Sequence, residues 1–176
     1  MVASCGARDV LLAFQPVGPK INRLLLLTQL FPDTKFSTIV DNRVSASAIS
    51  DVFHKAGRKI EIYLDLNIGM DRTGVKPGID AFDLYNICKN LPALQPVGLH
   101  LYDGHLRDAD AGLRKRKSDI SIRSVNALAK GIEAGGNPKP ILIAGGSPTF
   151  LIHAQREGVE CSPGTFVFWD WDYANL

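Results

Sequence analysis

The chain is 176 residues long, enough for one domain with a real hydrophobic core, and its 45% hydrophobic and 22% charged residues are typical of globular proteins. A net charge of +2 and a single basic run at 114–117, typical of a solvated loop or a helix start, give no reason to expect a nucleic-acid partner. No apolar run approaches the roughly 18 residues that span a membrane, so we expect no membrane partner.

Short apolar runs alternate with helical patterns along the chain. The apolar runs predict six strands, at 9–14, 35–40, 59–66, 96–101, 140–144 and 164–168. The helical patterns predict five helices, at 21–31, 45–56, 81–91, 118–134 and 150–157. We expect a serine N-cap and a stop at Gly57 for the second helix. Strict alternation implies a parallel sheet with right-handed crossovers, in either a doubly wound sheet or a (β/α)₈ barrel.

The most informative stretch follows the third predicted strand and reads DLNIGMDRTGV, at 65–75. Its glycines Gly69 and Gly74 allow tight turns on either side of Arg72. A guanidinium stays charged and donates hydrogen bonds in a fixed fork. A buried strand that ends in a glycine-flanked arginine therefore indicates a cation directed at an anionic group in a pocket.

Two other predicted strands are associated with glycine turns. The segment 145–149, GGSPT, offers backbone N–H groups, two hydroxyls and a helix start, a combination that suits phosphate. The same segment also fits a plain turn in which Ser147 or Thr149 is the N-cap. The turn made by Gly164 and Thr165 is most simply structural on its own.

Three aromatic side chains cluster around the end of the fourth predicted strand. Tyr102 and His105 could act as acid–base groups or stack on a ring, and His100 shares the strand face of Tyr102. As metal ligands they lack a third partner in the sequence, so we expect no metal site here. For His54 and His153, solvated or helix-packing roles fit better than chemistry.

With these motifs in order, the chain resembles the fold-type III pyridoxal-phosphate enzymes, built on the alanine racemase N-terminal-domain barrel. The nearest likeness is to the D-threonine aldolase and D-serine dehydratase branch. The resemblance implies an α/β fold: a parallel (β/α) barrel of TIM type, incomplete, with about six of its eight βα units in a single domain, 1–176. Six segments in register carry it: DVLLAFQPVGP (9–19), STIVDN (37–42), DLNIGMDRTGV (65–75), GLHLYDGHL (98–106), AGGSPTF (144–150) and SPGTFVFWD (162–170).

The resemblance also implies residue roles around pyridoxal 5'-phosphate. Arg72 looks like the arginine that contacts the ring oxygen of this cofactor, and the two glycine turns look like its phosphate cradle. Tyr102 and His105 fall where the family places residues around the ring and substrate, and they are the candidate catalytic residues. The implied cofactor contacts are Arg72, Tyr102, Gly146, Ser147, Gly164 and Thr165.

The implied function is that of an amino-acid aldolase acting on D-3-hydroxy amino acids, because the YDGHL segment looks more like the aldolase than the dehydratase, which tends to carry histidine in place of Tyr102. An amino-acid racemase and a D-serine dehydratase-like enzyme are the alternatives. A third is a non-catalytic domain that binds pyridoxal phosphate or another phosphate ligand, because no lysine ends a strand in the family's motif.

The same comparison leads us to expect a fragment, equivalent to strands 3–8 and inactive alone. The lysine-bearing N-terminal strands would be missing, and so would the C-terminal β-domain, the only route by which a divalent metal would enter. Open sheet edges predict a homo-oligomer. Widely spaced cysteines and the lack of a signal-peptide pattern predict a cytoplasmic location.

Overall fold

The computed structural model describes residues 1–164, where helices and strands alternate as predicted. The strands are β1 (Asp9–Leu12), β2 (Lys35–Val40), β3 (Ile60–Leu66), β4 (Leu94–Leu101), β5 (Ile141–Ala144) and β6 (Val159–Cys161). The α-helices are α1 (Pro19–Leu30), α2 (Arg43–Lys55), α3 (Ile79–Asn90), α4 (Ala111–Ala134) and α5 (Phe150–His153). The strands form one sheet in the order β1-β2-β3-β4-β5-β6. None of the helices described in this range has the length and apolar character to cross a membrane.

The sheet is parallel wherever its register is defined. In one compact unit, residues 1–64 and 83–97, β2 pairs with both β1 and β3, and Val40 lies opposite Leu64. In the other unit, 65–82 and 98 onward, β5 pairs with β4 and β6. Parallel strands end at a common edge, so the loops that follow β4 and β5 lie side by side in the second unit.

Helix α2 shows how the first unit gains its core. Ala46, Ile49, Ser50 and Phe53 recur at helical spacing and are all fully buried. The helix begins two residues earlier than predicted, and its cap is Asn42 rather than a serine. The side-chain oxygen of Asn42 accepts the amide of Ser45 at 2.9 Å, which satisfies a helix-start donor.

Helix α4 begins at Ala111, seven residues before the predicted start, because Asp110 caps it. The Asp110 carboxylate accepts the amide of Leu113 at 2.8 Å, and this backbone hydrogen bond lowers the pKa of Asp110. The basic run therefore lies in the first turns of a helix. Lys117 pairs there with Asp108 at 2.6 Å, so the run is partly neutralised locally.

One strand of the described residues was not predicted. The predicted strand 164–168 lies almost wholly outside the described residues, whereas β6 occupies Val159–Cys161. β6 has only three residues, and Val159 is its only aliphatic one. So short a segment cannot show the alternating pattern of a strand, which is why the sequence did not reveal β6. Its place is fixed instead by pairing, with Val159 opposite Leu142 and Cys161 opposite Ala144.

Candidate functional site

The loop after β3 is closed upon itself by one asparagine. The side-chain oxygen of Asn67 accepts the amides of Gly69 and Asp71 at 3.0 and 3.2 Å, and its nitrogen donates to the Asp71 carboxylate at 2.9 Å. Asp71 takes a left-handed φ of 53°, a conformation that Asp tolerates better than most residues. The loop thus has a defined shape, and Arg72 follows directly after its tightest turn.

A second set of bonds fixes the end of this loop to β3. The amide of Val75 donates to the Asp65 carbonyl at 3.0 Å, and the amide of Asn67 donates to the Val75 carbonyl at 2.9 Å. Gly74 has a φ of 94°, and a Cβ atom there would lie 2.5 Å from the backbone nitrogen of Asn67. Only glycine fits this approach of backbone to backbone.

Arg72 lies over the ring of Tyr102. The guanidinium carbon is 4.6 Å from the ring centroid, within the range of a cation–π contact. Within residues 1–164, no carboxylate lies at ion-pair distance from Arg72. The two residues assigned to the cofactor ring from the sequence are therefore neighbours, and the cation keeps hydrogen-bond donors for an anion.

Tyr102 also packs closely against two glycines, Gly104 and Gly146. A Cβ atom on Gly104 would lie 2.2 Å from the Tyr102 hydroxyl oxygen, and one on Gly146 would lie 3.1 Å from the ring carbon Cε2. A side chain at either position would displace the ring. Tyr102 therefore joins the Arg72 loop to the predicted phosphate loop.

His105 is exposed beside the same loop. A Cβ atom on Gly69 would lie 3.0 Å from the Nε2 atom of His105, so the imidazole packs against the start of the turn that precedes Arg72. The two candidate catalytic residues, Tyr102 and His105, thus flank one loop. A small cavity of about 10 Å³ lies beneath it, lined by Asp65, Leu66, Met70, Arg72, Thr73 and Tyr102.

Sequence reasoning missed a buried aspartate–histidine pair behind this loop. The Oδ1 atom of Asp65 lies 2.7 Å from His100 Nδ1, and its Oδ2 atom accepts the Thr73 hydroxyl at 2.9 Å. Asp65 and His100 are only 4% and 5% exposed. The only signal in the sequence was a charged residue at the end of an apolar strand, and it indicated no partner.

A second buried aspartate–histidine pair lies under the predicted phosphate loop. The Oδ2 atom of Asp103 lies 2.8 Å from His153 Nε2, and Oδ1 accepts the Thr149 hydroxyl and, at 3.1 Å, the Gly146 amide. Burial opposes ionisation of Asp103, but hydrogen bonds from His153 and Thr149 hold the pKa of its carboxyl below the ordinary value. His153 is buried against this carboxylate on α5, so of the two roles predicted for it the solvated one is wrong.

The predicted phosphate loop needs one correction. Its amides were expected to be free donors, but the Gly145 amide donates to the Leu101 carbonyl at 3.0 Å and the Gly146 amide donates to Asp103. The Thr149 amide is also used, by the Gly146 carbonyl at 3.2 Å. These bonds shape the turn itself, so an anion would have to use other groups of the loop.

The second glycine turn begins beside this loop. The Ser162 amide donates to the Ala144 carbonyl at 3.2 Å, and its hydroxyl donates to the Gly145 carbonyl at 3.4 Å. Gly164 is exposed, and a Cβ atom built on it would meet no described residue within 4 Å. Thr165 lies outside the described residues. Gly164 thus lies two residues after Ser162, which is hydrogen-bonded to the phosphate loop.

A larger groove lies away from these residues and differs in character. It has a volume of about 420 Å³ and carries no titratable side chain. Its lining residues are Pro77, Gly78, Ile79, Phe82, Ser124, Ala127, Leu128 and Gly131. Chemistry requires polar groups, so the smaller site around Arg72 is the better functional candidate.

The buried charge of Asp103 predicts a pH-dependent stability. Because its pKa is lowered by folding, its contribution is complete above the unfolded value near 3.8 and is lost as the pH falls through the lower folded value. At pH 7 we expect Asp103→Asn to lower the free energy of unfolding by about 2 kcal/mol or more. The difference in free energy of unfolding between the wild type and Asp103→Asn should become smaller as the pH falls toward about 3. Urea unfolding curves at several pH values measure this difference. A difference that stays constant would show that folding does not lower the pKa of Asp103.

A family model described as the alanine racemase N-terminal domain matches residues 23–170 of the chain. The chain belongs to this family. It is 26% identical over 175 residues to D-threonine aldolase of Arthrobacter sp., across 97% of this chain and 45% of that protein. It is 26% identical over 191 residues to D-threo-3-hydroxyaspartate dehydratase of Delftia sp. strain HT23, across 98% of this chain and 46% of the relative.

Solved structures of this family agree with the sequence matches. The crystal structure of D-threonine aldolase from Filomicrobium marinum matches with a TM-score of 0.88 and 26% identity, over 98% of this chain and 46% of that one. The predicted fold class, an α/β fold of incomplete parallel (β/α)-barrel type, is thereby confirmed. The chain spans a little under half the length of these relatives.

Proposed function

We propose that this chain supplies the cofactor-holding residues of a pyridoxal-phosphate-dependent aldolase that acts on D-3-hydroxy amino acids. The observation that carries the proposal is the position of Arg72, 4.6 Å above a Tyr102 ring that itself rests on Gly146. Three of the motifs that the resemblance assigns to the cofactor thus adjoin one another. The activities of the similar proteins, D-threonine aldolase and a hydroxyaspartate dehydratase, support a 3-hydroxy amino acid as substrate.

The residues present fit such a cofactor. Arg72 has no carboxylate partner among the described residues, so its donors are available to an anionic oxygen. Gly164 is exposed, with no described residue within 4 Å of a Cβ atom built on it, and Ser147 is a half-buried residue of the loop with a hydroxyl group. Ser147 and the Gly164 backbone are therefore the groups we assign to the phosphate.

Each side chain then has a definable task. When bound, pyridoxal phosphate withdraws electrons from the amino-acid Cα and so weakens the bonds to that atom. Arg72 orients the ring through its fixed fork of donors, and the glycine-backed Tyr102 ring supplies a flat surface that excludes water from one side. Both tasks need the geometry of the Asn67 loop.

His105 is the residue we assign to proton transfer. When the Cα–Cβ bond of a 3-hydroxy amino acid breaks, the Cβ hydroxyl loses its proton and becomes the carbonyl of an aldehyde. Imidazole is the side chain used most often for such a transfer near neutral pH. The exposed Nε2 atom of His105, beside Gly69, accepts this proton.

The test uses the gene product tagged at its chromosomal locus and purified from its own host, so that it carries whatever other sequence or subunit it normally has. We expect bound pyridoxal phosphate and the release of acetaldehyde and glycine from D-threonine but not from L-threonine. A protein that binds no pyridoxal phosphate would contradict the proposal. So would one that racemises alanine, or releases ammonia from D-serine, while forming no aldehyde.

A further inference from the structure

Asp103 joins two segments that the sequence places far apart. It directly follows Tyr102 at the end of β4, and its carboxylate accepts the Gly146 amide at 3.1 Å and the Thr149 hydroxyl. Asp103 has no exposed surface, and Thr149 has none either. One buried carboxylate thus ties the end of β4 to both ends of the turn 146–149.

The charge of this carboxylate is balanced through a histidine rather than by direct contact with a cation. His153 approaches Asp103 with its Nε2 atom at 2.8 Å and receives a hydrogen bond from Arg156 on Nδ1. Because Nδ1 accepts, Nε2 carries the proton and donates to Asp103. Arg156 in turn pairs with Asp119 at 2.7 Å. Asp103 is therefore held as an ionised acceptor.

The two sides of the candidate site depend on different supports. The Arg72 loop is held by Asn67 and by the backbone of Asp65, with no bond to Asp103. The turn that contains Ser147 is held by Asp103 at Gly146 and at Thr149. Loss of the Asp103 contacts would therefore loosen the turn that contains Ser147 more than it loosens the Arg72 loop.

We propose that Asp103, acting through Gly146 and Thr149, is a positioning residue that sets the affinity of this site for the phosphate group. The inference rests on the proposed function, because it assigns the phosphate to the Ser147 side of the site. Asp103 is fully buried and acts only through the turn that it holds, so its loss should weaken the binding of a phosphorylated ligand more than that of an unphosphorylated one.

The test compares pyridoxal phosphate with pyridoxal, which has the same ring and no phosphate. Equilibrium dialysis against each ligand gives an affinity ratio for the wild-type chain, Asp103→Asn, Thr149→Val and Thr149→Ser. We expect the ratio to fall about tenfold in Asp103→Asn and Thr149→Val, with pyridoxal affinity changed less than about twofold. Thr149→Ser keeps the hydroxyl and should keep the ratio. Asp110→Asn, at the start of α4, is the matched control and should change neither affinity.

The outcomes separate this inference from the proposed function. A wild-type chain that binds pyridoxal phosphate no better than pyridoxal contradicts the proposed phosphate site, and this inference with it. A wild-type chain that discriminates, with Thr149→Val unchanged in its ratio, overturns this inference alone. Equal losses for both ligands would assign Asp103 and Thr149 a general structural role and would also overturn it. If Asp103→Asn does not fold by circular dichroism, Thr149→Val and Thr149→Ser decide the question.

Discussion

Replacing Arg72 with methionine is expected to weaken the binding of pyridoxal phosphate about tenfold or more. The change removes the only cation over the Tyr102 ring among the described residues, and with it the donors directed at an anionic oxygen. Arg72→Lys keeps the charge but loses the planar fork, so its affinity should fall between those of the other two proteins. Equilibrium dialysis at fixed ionic strength measures all three.

A matched control for this experiment is Arg123→Met. Arg123 is exposed on α4, and its loss alters net charge by the same amount without touching the site. Its affinity should equal that of the wild type. If Arg72→Met also binds as the wild type does, the cofactor assignment of Arg72 is wrong, and the proposed function loses the observation that carries it.

Replacing Gly74 with alanine is expected to lower the free energy of unfolding by about 3 kcal/mol or more. The φ of 94° is strained for an L side chain, and the added carbon would lie 2.5 Å from the Asn67 nitrogen and 2.6 Å from the Leu66 carbonyl carbon. Backbone atoms bonded into a closed loop cannot move aside cheaply. Urea unfolding at neutral pH measures the loss.

Gly131→Ala is the same chemical change, but it is expected to stabilise the protein. Gly131 lies within α4, and a Cβ atom there meets nothing within 4 Å, so alanine should stabilise the protein by about 0.5–1 kcal/mol. Equal effects of the two substitutions would refute the assignment of Gly74 as a position where only glycine fits.

Local patterns were enough to predict most of the fold. The bounds of β2 were predicted without error because a β-branched apolar run is framed by turn residues on both sides. The start of α4 was misplaced because the basic run fits either a loop or a helix start, and the sequence did not reveal that Asp110 is the N-cap. β6 was not predicted because its pairing with β5, rather than its own residue pattern, makes it a strand.

The site was predictable only where it follows a strand end. The family resemblance assigned Arg72, Tyr102 and Gly146 to one cofactor, and in the structure Tyr102 contacts both Arg72 and Gly146. The two buried aspartate–histidine pairs join residues 35 and 50 positions apart in the sequence, and no local period records such pairings. His153 is an example, since in the sequence it is an ordinary polar residue on a short helix and nothing nearby indicates its partner Asp103.

The strand order β1-β2-β3-β4-β5-β6 has a consequence for folding during synthesis. Every described strand lies beside the one synthesised just before it, so each βα unit emerging from a ribosome can pair with the strand that precedes it. Folding can then proceed by addition at a growing edge, with little waiting for distant sequence. The Tyr102 ring acquires its Gly146 support only when β5 is added, so the candidate site matures late in this sequence of events.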